Sequence, residues 1–260
     1  MRAAITLFRE GKGSEQPLAL VTAYDATMAA LAQAAGVDAL LVGDSLSMVV
    51  QGNDNTLPVT LDDMIYHTRL VVQGAPDMFI ITDMPFMSYQ ASSEDALRSA
   101  GRVLKEGRSQ AIKLEGGEKI ITQVRDLVAV GIPVMGHLGL QPQSIHLYGG
   151  YSKQGKTAAD RHKLLTDARS LQDAGAFALV LENIPHDLAT EVTEVLEIPT
   201  IGIGAGPGCD GQVQVFHDLV GLQPDFKPRH TKRYLEGGRF IIKGLAQYVK
   251  EVREGSFVSL

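Results

Sequence analysis

Disulfides, membrane spans and blocks of like charge are all missing from this sequence. Its single cysteine, Cys209, rules out an intramolecular disulfide framework and suits a reducing compartment. That cysteine lies in GPGCDG and reads as a tolerated loop thiol. No apolar run approaches the roughly 18 residues of a membrane-spanning helix. The opening MRAAITLFREGKG has no apolar core followed by a cleavage site, so a secretory leader is not expected and a soluble, cytoplasmic protein is. No five consecutive like charges occur, and 24 basic residues against 30 acidic ones give a net charge of −6. Neither nucleic acid nor an anionic membrane is therefore an expected partner. Internal repeats and low-complexity tracts are lacking too.

What is present is enough for one sizeable core. With 260 residues, 45% of them hydrophobic, the chain has the length of a single α/β barrel, expected to span 1–260 as one domain. Short apolar runs alternate eight times with segments of helical period. The runs are LALVTAY (18–24), ALLVG (39–43), MFIITD (78–83), AIKLE (111–115), PVMGH (133–137), ALVLE (178–182), TIGIG (200–204) and VQVFH (213–217). Runs apolar on both faces and separated by helices mark a parallel sheet. Between them, Leu61, Met64, Ile65, Thr68, Val71 and Val72 form one helical stripe behind a Thr60–Asp63 capping pattern, and Ser92 opens another. Gly36, Gly107, Gly131 and Gly175 each follow a helix's last apolar position, where a left-handed cap favours glycine. Eight such units without a linker predict a closed (β/α)8 TIM barrel, with an extra N-terminal helix at about 3–12 covering its bottom.

Two strand-to-helix links are long and rich in Gly, Pro, Asn and Gln: 44–60 (DSLSMVVQGNDNTLPVT) and 138–157 (LGLQPQSIHLYGGYSKQGKT). Both belong to the C-terminal face of the barrel, where this architecture conducts its chemistry. Five ionisable residues, Asp44, Asp83, Glu115, His137 and Glu182, stand at or just beyond strand ends, and a barrel brings those ends to one rim. One strand-end Asp is commonly a helix cap; five on one rim are harder to dismiss. Crowded carboxylates raise one another's pKa, and a divalent cation removes that penalty. Oxygen-only ligands point to Mg²⁺, and no Cys/His cluster has the spacing of a zinc site.

Lys113 lies two residues from Glu115 on one strand, so both side chains share the inward face. It can be an ion-pair partner, a substrate-anion binder or a Schiff-base nucleophile; crowded acids keep it protonated and favour the first two. His137 is a proton shuttle, a substrate contact or a structural hydrogen-bonding group. GIGAGPG (202–208) puts Pro207 where a dinucleotide fingerprint needs its third glycine. The loop then either cradles an anion or packs closely. His67, one helical turn from Asp63, reads as a packing residue.

Taken together, VGDSL (42–46), QGNDNTLPVT (51–60), DMPFMSY (83–89), KLEGG (113–117), GHLGLQPQS (136–144), GGYSKQGK (149–156), VLENIP (180–185) and IGIGAGPGCDGQ (201–212) resemble the ketopantoate hydroxymethyltransferase family. The resemblance implies a (β/α)8 barrel that uses 5,10-methylenetetrahydrofolate as co-substrate to hydroxymethylate a 2-oxo acid through a Mg²⁺-stabilised enolate. It implies Asp44, Asp83 and Glu115 as metal ligands, Asp44, Ser45, Asp83 and Lys113 as oxo-acid contacts, and Glu182 as general base. It also implies a homo-oligomer, a decamer in bacterial members. The chain departs from the family at Ser47, where glycine is common, at Asn183, in PRHTKRY (228–234) and in its closing GSFVSL. Two other readings compete. One is a folate-independent Mg²⁺-dependent carbon–carbon lyase of the phosphoenolpyruvate mutase/isocitrate lyase type, whose cysteine-containing catalytic loop is missing here. The other is a non-catalytic oxo-acid or metal sensor, which has no need of a base at Glu182.

Overall fold

The computed structural model describes residues 4–228 and 231–257; Arg229 and His230 of PRHTKRY and the last three residues of GSFVSL lie outside them. Eight parallel strands close into a barrel in chain order: β1 (Leu18–Thr22), β2 (Ala39–Val42), β3 (Phe79–Asp83), β4 (Ala111–Glu115), β5 (Val134–Gly139), β6 (Ala178–Glu182), β7 (Thr200–Ile203) and β8 (Gly211–Gln214). The helices are α1 (Ala4–Gly11), α2 (Ala26–Ala34), α3 (Leu46–Val49), α4 (Leu61–Gly74), α5 (Ser93–Arg102), α6 (Ile121–Ala129), α7 (Ile145–Tyr148), α8 (Ala158–Asp173), α9 (His186–Val195), α10 (Phe216–Val220) and α11 (Gly237–Arg253). The expected TIM barrel is thus the observed fold. Two compact units divide the chain, Met1–Val213 and Gln214–Leu260.

Helix starts follow local chemistry. The Thr60 hydroxyl accepts from the Asp63 amide while the Asp63 carboxylate accepts from the Thr60 amide, a complete capping box that opens α4. Thr157 and Asp160 repeat it at α8, and Ser92 caps α5. Gly36, Gly131 and Gly175 have φ of 81°, 88° and 97°, as left-handed caps require. Gly107 does not. After α5 the chain makes a π-helical turn over Val103–Gly107, and Arg108 takes the left-handed position instead, with φ 68°. Gly107 serves close packing: a Cβ there would stand 3.2 Å from Thr68 Cγ2.

Strand alternation separates two cores. Ile112, Leu114, Leu179 and Leu181 face out to the helices, where they join Val124, Leu127, Leu171 and Val192. Leu20, Leu41, Ile81, Met135, Val180 and Ile201 face in and fill the lower barrel. The N-terminal helix falls as expected. Buried Phe8 of α1 packs edge-on against Phe79 at 5.8 Å and Phe177 at 5.1 Å, two rings at the N-terminal ends of β3 and β6.

The eighth strand needs correction. VQVFH was expected to be extended, but the strand is Gly211–Gln214, and Phe216 and His217 already belong to α10. It pairs with β7 through Gly211 and Gln212, neither of them apolar. A Cβ on Gly211 would lie 2.6 Å from the Leu18 carbonyl, so glycine lets the wall close, and a search for apolar runs lands two residues downstream.

In the second unit the chain turns at Gly221, whose left-handed φ of 61° ends α10. It then runs back so that the Tyr234 amide bonds the Leu219 carbonyl and the Gly238 amide the Gly221 carbonyl. Among the described residues, no helix is long and apolar enough to cross a membrane.

Candidate active site

Parallel register decides which polar side chains meet. Asp83 pairs with Lys113, Glu115 with His137, and Gly139 with Glu182, so the inward positions of β3 to β6 form one polar layer above the apolar ones. Asp44 follows β2 by two residues and joins them: its amide donates to Asp83 Oδ2 at 3.0 Å. Asp44, Asp83, Lys113, Glu115 and His137 are all buried. Lys113 Nζ stands 3.1 Å from Asp83 Oδ1 and 3.1 Å from His137 Nδ1. His137 Nδ1 is also 3.4 Å from Glu115 Oε1, and its Nε2 is 3.2 Å from Glu182 Oε2. Glu182 differs from the others: its side chain keeps 18% of its exposure, against 5% or less for Lys113, Asp83 and Glu115. Ser45 is half-buried, and its hydroxyl lies 2.8 Å from the Tyr24 hydroxyl. All seven candidates, from five separate strands and their loops, therefore belong to one rim.

The charges are strongly coupled. Burial raises the Asp44 pKa well above the ordinary carboxylate value, and the charges of Glu115 and Asp83 add to this. Burial raises Asp83 as well, against the pull of Lys113. Glu115 goes the other way. Burial opposes its charge, but the adjacent His137, then the charge of Lys113, hold it below its usual range. Burial disfavours the Lys113 ammonium, yet Asp83, Glu115 and Asp44 more than offset that and raise its pKa. For His137, burial and Lys113 oppose the cation, while Glu115 and Glu182, one at each ring nitrogen, push its pKa up to about 9. A protonated Lys113 in this setting is an ion-pairing and anion-binding group; the Schiff-base role needs the neutral amine.

Asp83 Oδ1 and Glu115 Oε1 are buried oxygens without an aligned hydrogen bond, although Lys113 and His137 stand at ion-pair distance. Such orphans beside a buried carboxyl pushed upward suit a hard cation with oxygen ligands. Among the described residues, no three His, Cys, Asp or Glu side chains are already converged as a metal cage. Mg²⁺ takes one or two carboxylates and completes its octahedron with water or substrate oxygens, so the donor set fits it.

Both long loops are partly ordered by short helices, α3 and α7, and they meet. The Tyr151 hydroxyl lies 3.4 Å from Met48 Sδ, and the Asn183 side-chain amide donates to the Tyr151 carbonyl at 3.3 Å. Burial and the Glu115 charge raise the Tyr148 phenol's pKa; burial and the Glu182 charge raise that of Tyr151. The family departures fit locally. Ser47 Oγ donates to the Asn55 carbonyl at 2.7 Å and accepts from Asn53, tying down the 44–60 loop. Asn183 adopts φ 46°, a left-handed conformation that asparagine tolerates better than most residues.

The glycines after β7 serve packing. A Cβ on Gly206 would meet the His186 ring at 2.5 Å, and one on Gly208 would meet Thr190 Oγ1 at 2.1 Å. His67 bonds the Tyr24 carbonyl at 2.6 Å from α4. Cys209 is buried, and burial raises its thiol pKa, as befits an inert thiol. Two members of the network, Gln143 and Tyr89, were not singled out from the sequence. Both lie inside the loop motifs quoted above, and only their burial distinguishes them from ordinary loop residues.

Comparison with known proteins agrees with this geometry. The family model for ketopantoate hydroxymethyltransferase matches residues 2–259. The 3-methyl-2-oxobutanoate hydroxymethyltransferase of Carboxydothermus hydrogenoformans is 52% identical over 98% of this chain and 93% of its own. That of Thermus thermophilus is 52% identical over 99% and 97%, and that of a Roseiflexus species 54% over 99% and 92%. Among solved structures, 2,3-dimethylmalate lyase, a member of the PEP mutase/isocitrate lyase superfamily, superposes with a TM-score of 0.62 at 18% identity over 98% of this chain and 89% of its own. Phosphonopyruvate hydrolase in complex with oxalate and Mg²⁺ gives 0.65 at 12% over 97% and 88%. Those two likenesses establish the shared barrel and nothing about the reaction. The match over the whole length, with relatives half identical to it, shows that the chain belongs to the ketopantoate hydroxymethyltransferase family.

Proposed function

We propose that this chain transfers a one-carbon unit from 5,10-methylenetetrahydrofolate to 3-methyl-2-oxobutanoate, giving 2-dehydropantoate for pantothenate biosynthesis. One water is consumed and tetrahydrofolate is released. Beyond family membership, one observation carries the reading. A partly exposed carboxylate, Glu182, is linked through His137 to a buried layer of three acids and one ammonium.

The chemical problem is to take a proton from C3 of a 2-oxo acid near neutral pH. Glu182 is the base: it is the one acid of the layer with solvent access, so it can receive that proton and later lose it to water. The electron pair of the C3–H bond moves toward the C2 oxygen, then returns as C3 bonds to the methylene carbon. That carbon loses both of its bonds to the folate nitrogens and takes a hydroxyl from the one water consumed, while the proton from C3 and the second proton of that water are made good on the two nitrogens. Asp44, Asp83 and Glu115 would hold Mg²⁺, which supplies the positive charge that polarises the keto group and stabilises the enolate oxygen. Lys113 neutralises the substrate carboxylate or the enolate charge from a fixed position, and Asp44, Ser45, Asp83 and His137 contact the oxo acid. The joined loops at 44–60 and 138–157 keep bulk water from the reactive methylene group.

Glu182→Gln tests the assignment of the base. Exchange of the C3 hydron in deuterated water should fall by about 10²–10⁴-fold, the usual worth of a general base; exchange at the parental rate would refute it. Turnover should stop in chelator and return with Mg²⁺, and product formed without folate would instead favour the lyase reading. A single buried cysteine supports action in the cytoplasm. Self-association is supported by α11, which exposes Phe240, Ile242, Leu245 and Tyr248 among other apolar residues; a decamer, as in bacterial members of the family, is the assembly we infer.

A further inference from the structure

Gln143 makes five polar contacts at the edge of the acidic layer, two of them to its carboxylates. It lies in the short turn Pro142–Ser144 after β5 and is 6% exposed. Its side-chain N–H group donates to Asp44 Oδ2 at 2.9 Å and to the Met84 carbonyl at 2.9 Å. Its side-chain oxygen accepts from Gln90 Nε2 at 2.9 Å and stands 3.0 Å from the Tyr89 hydroxyl. Its backbone amide donates to Glu115 Oε2 at 3.1 Å. Every hydrogen-bonding group of the side-chain amide is therefore engaged, a full complement for a buried amide.

The orientation of that amide follows from its neighbours. Turned over, its oxygen would confront the Asp44 carboxylate and the Met84 carbonyl, and its N–H groups would confront Gln90 Nε2. Tyr89 locks the other end. Its hydroxyl accepts from the Glu115 amide at 3.0 Å, and its one proton serves either the Glu115 carbonyl at 2.9 Å or Gln143 Oε1. One loop residue thus ties the segments after β2 and β3 to the end of β4. Asp44 needs such a tie most, because it stands beyond its strand on a loop.

We propose that Gln143 is the positioning residue of this site: by committing one oxygen each of Asp44 and Glu115, it sets both carboxylates to ligate the divalent cation and does not itself touch substrate. The role rests on the cation-binding reading of Asp44, Asp83 and Glu115. Supporting groups of this kind are worth about 10–100-fold in metal affinity.

Gln143→Met keeps the length of the side chain and removes its hydrogen bonds, and Mn²⁺ is the probe. The full-length protein, stripped of metal and without substrate, is titrated with Mn²⁺ while the EPR signal of the free ion is followed, and circular dichroism establishes the fold. Q143M should bind Mn²⁺ about 10–100-fold more weakly, with kcat reduced and KM for the folate unchanged. A folded Q143M that binds within twofold of the parent overturns the proposal, whatever its activity. A parent protein that binds no Mn²⁺ overturns the cation reading and this proposal with it. Should Q143M not fold, Q143E decides: it puts an oxygen against Asp44 in place of the N–H group, and parental affinity in that variant also refutes the role.

Discussion

Lys113→Met is the most direct test of how the acidic layer is held together. The substitution keeps most of the buried stem and removes the ammonium. Lys113 Nζ and Asp83 Oδ1 are 3.1 Å apart with both side chains buried. At an effective dielectric constant of about 20, that separation corresponds to an attraction of roughly 5 kcal/mol. Breaking a buried pair while leaving one charge behind costs about 3–5 kcal/mol, so urea unfolding in chelator at pH 8 should lose an amount in that range. The loss should shrink on acidification. Without Lys113, burial and the neighbouring acids push the Asp83 pKa above its already raised position. A group whose folded pKa exceeds its unfolded value stabilises most below the unfolded value, and that contribution disappears as pH rises through the folded one. The deficit of K113M should therefore be smaller at pH 5.5 than at pH 8. A loss below about 1 kcal/mol, or one independent of pH, would show that the ammonium does not neutralise this layer.

Two further perturbations probe the scaffold. Thr60→Ala removes the cap of α4 and should cost about 1 kcal/mol in equilibrium unfolding. Hydrogen bonds from Thr60 outweigh partial burial and hold the Asp63 pKa below its ordinary value. The contribution of Asp63 should thus be complete above the ordinary carboxylate pKa and vanish as pH falls through the lowered one, so Asp63→Asn should differ from the parent at pH 7 and converge with it near pH 2. Leu127→Ala, at a fully buried position in the outer core, should cost about 2–5 kcal/mol by the same measurement. A smaller loss would mean that α6 closes over the cavity.

The barrel was legible because its signals are local and repeated. Ala111–Glu115 and Ala178–Glu182 form strands with the bounds their apolar runs predict, and the Thr60–Asp63 pattern becomes the cap it suggested. Where a boundary depended on something other than hydrophobicity, pattern reading slipped. β8 starts on glycine and glutamine because closing the wall needs a close backbone approach, and α5 ends through a π turn that moves the left-handed residue from Gly107 to Arg108. The charged rim followed from the residues at the strand ends and the closure of the barrel; the register that pairs them came from the structure. Gln143 and Tyr89 escaped because nothing local marks a loop glutamine or tyrosine as buried; their importance comes from contacts 26 to 99 residues away in the chain.

Height along the barrel axis sorts what its interior can tolerate. The lower tiers, Ile81, Met135 and Val180 above the aromatic floor of Phe8, Phe79 and Phe177, are built of apolar side chains and contribute cohesion. The uppermost tier does the reverse: burial first, then the charges of Glu115 and Asp83, works against an ionised Asp44. An empty protein should therefore become sturdier when Asp44 is neutralised and frailer when Met135 is trimmed, while only the first change touches the chemistry.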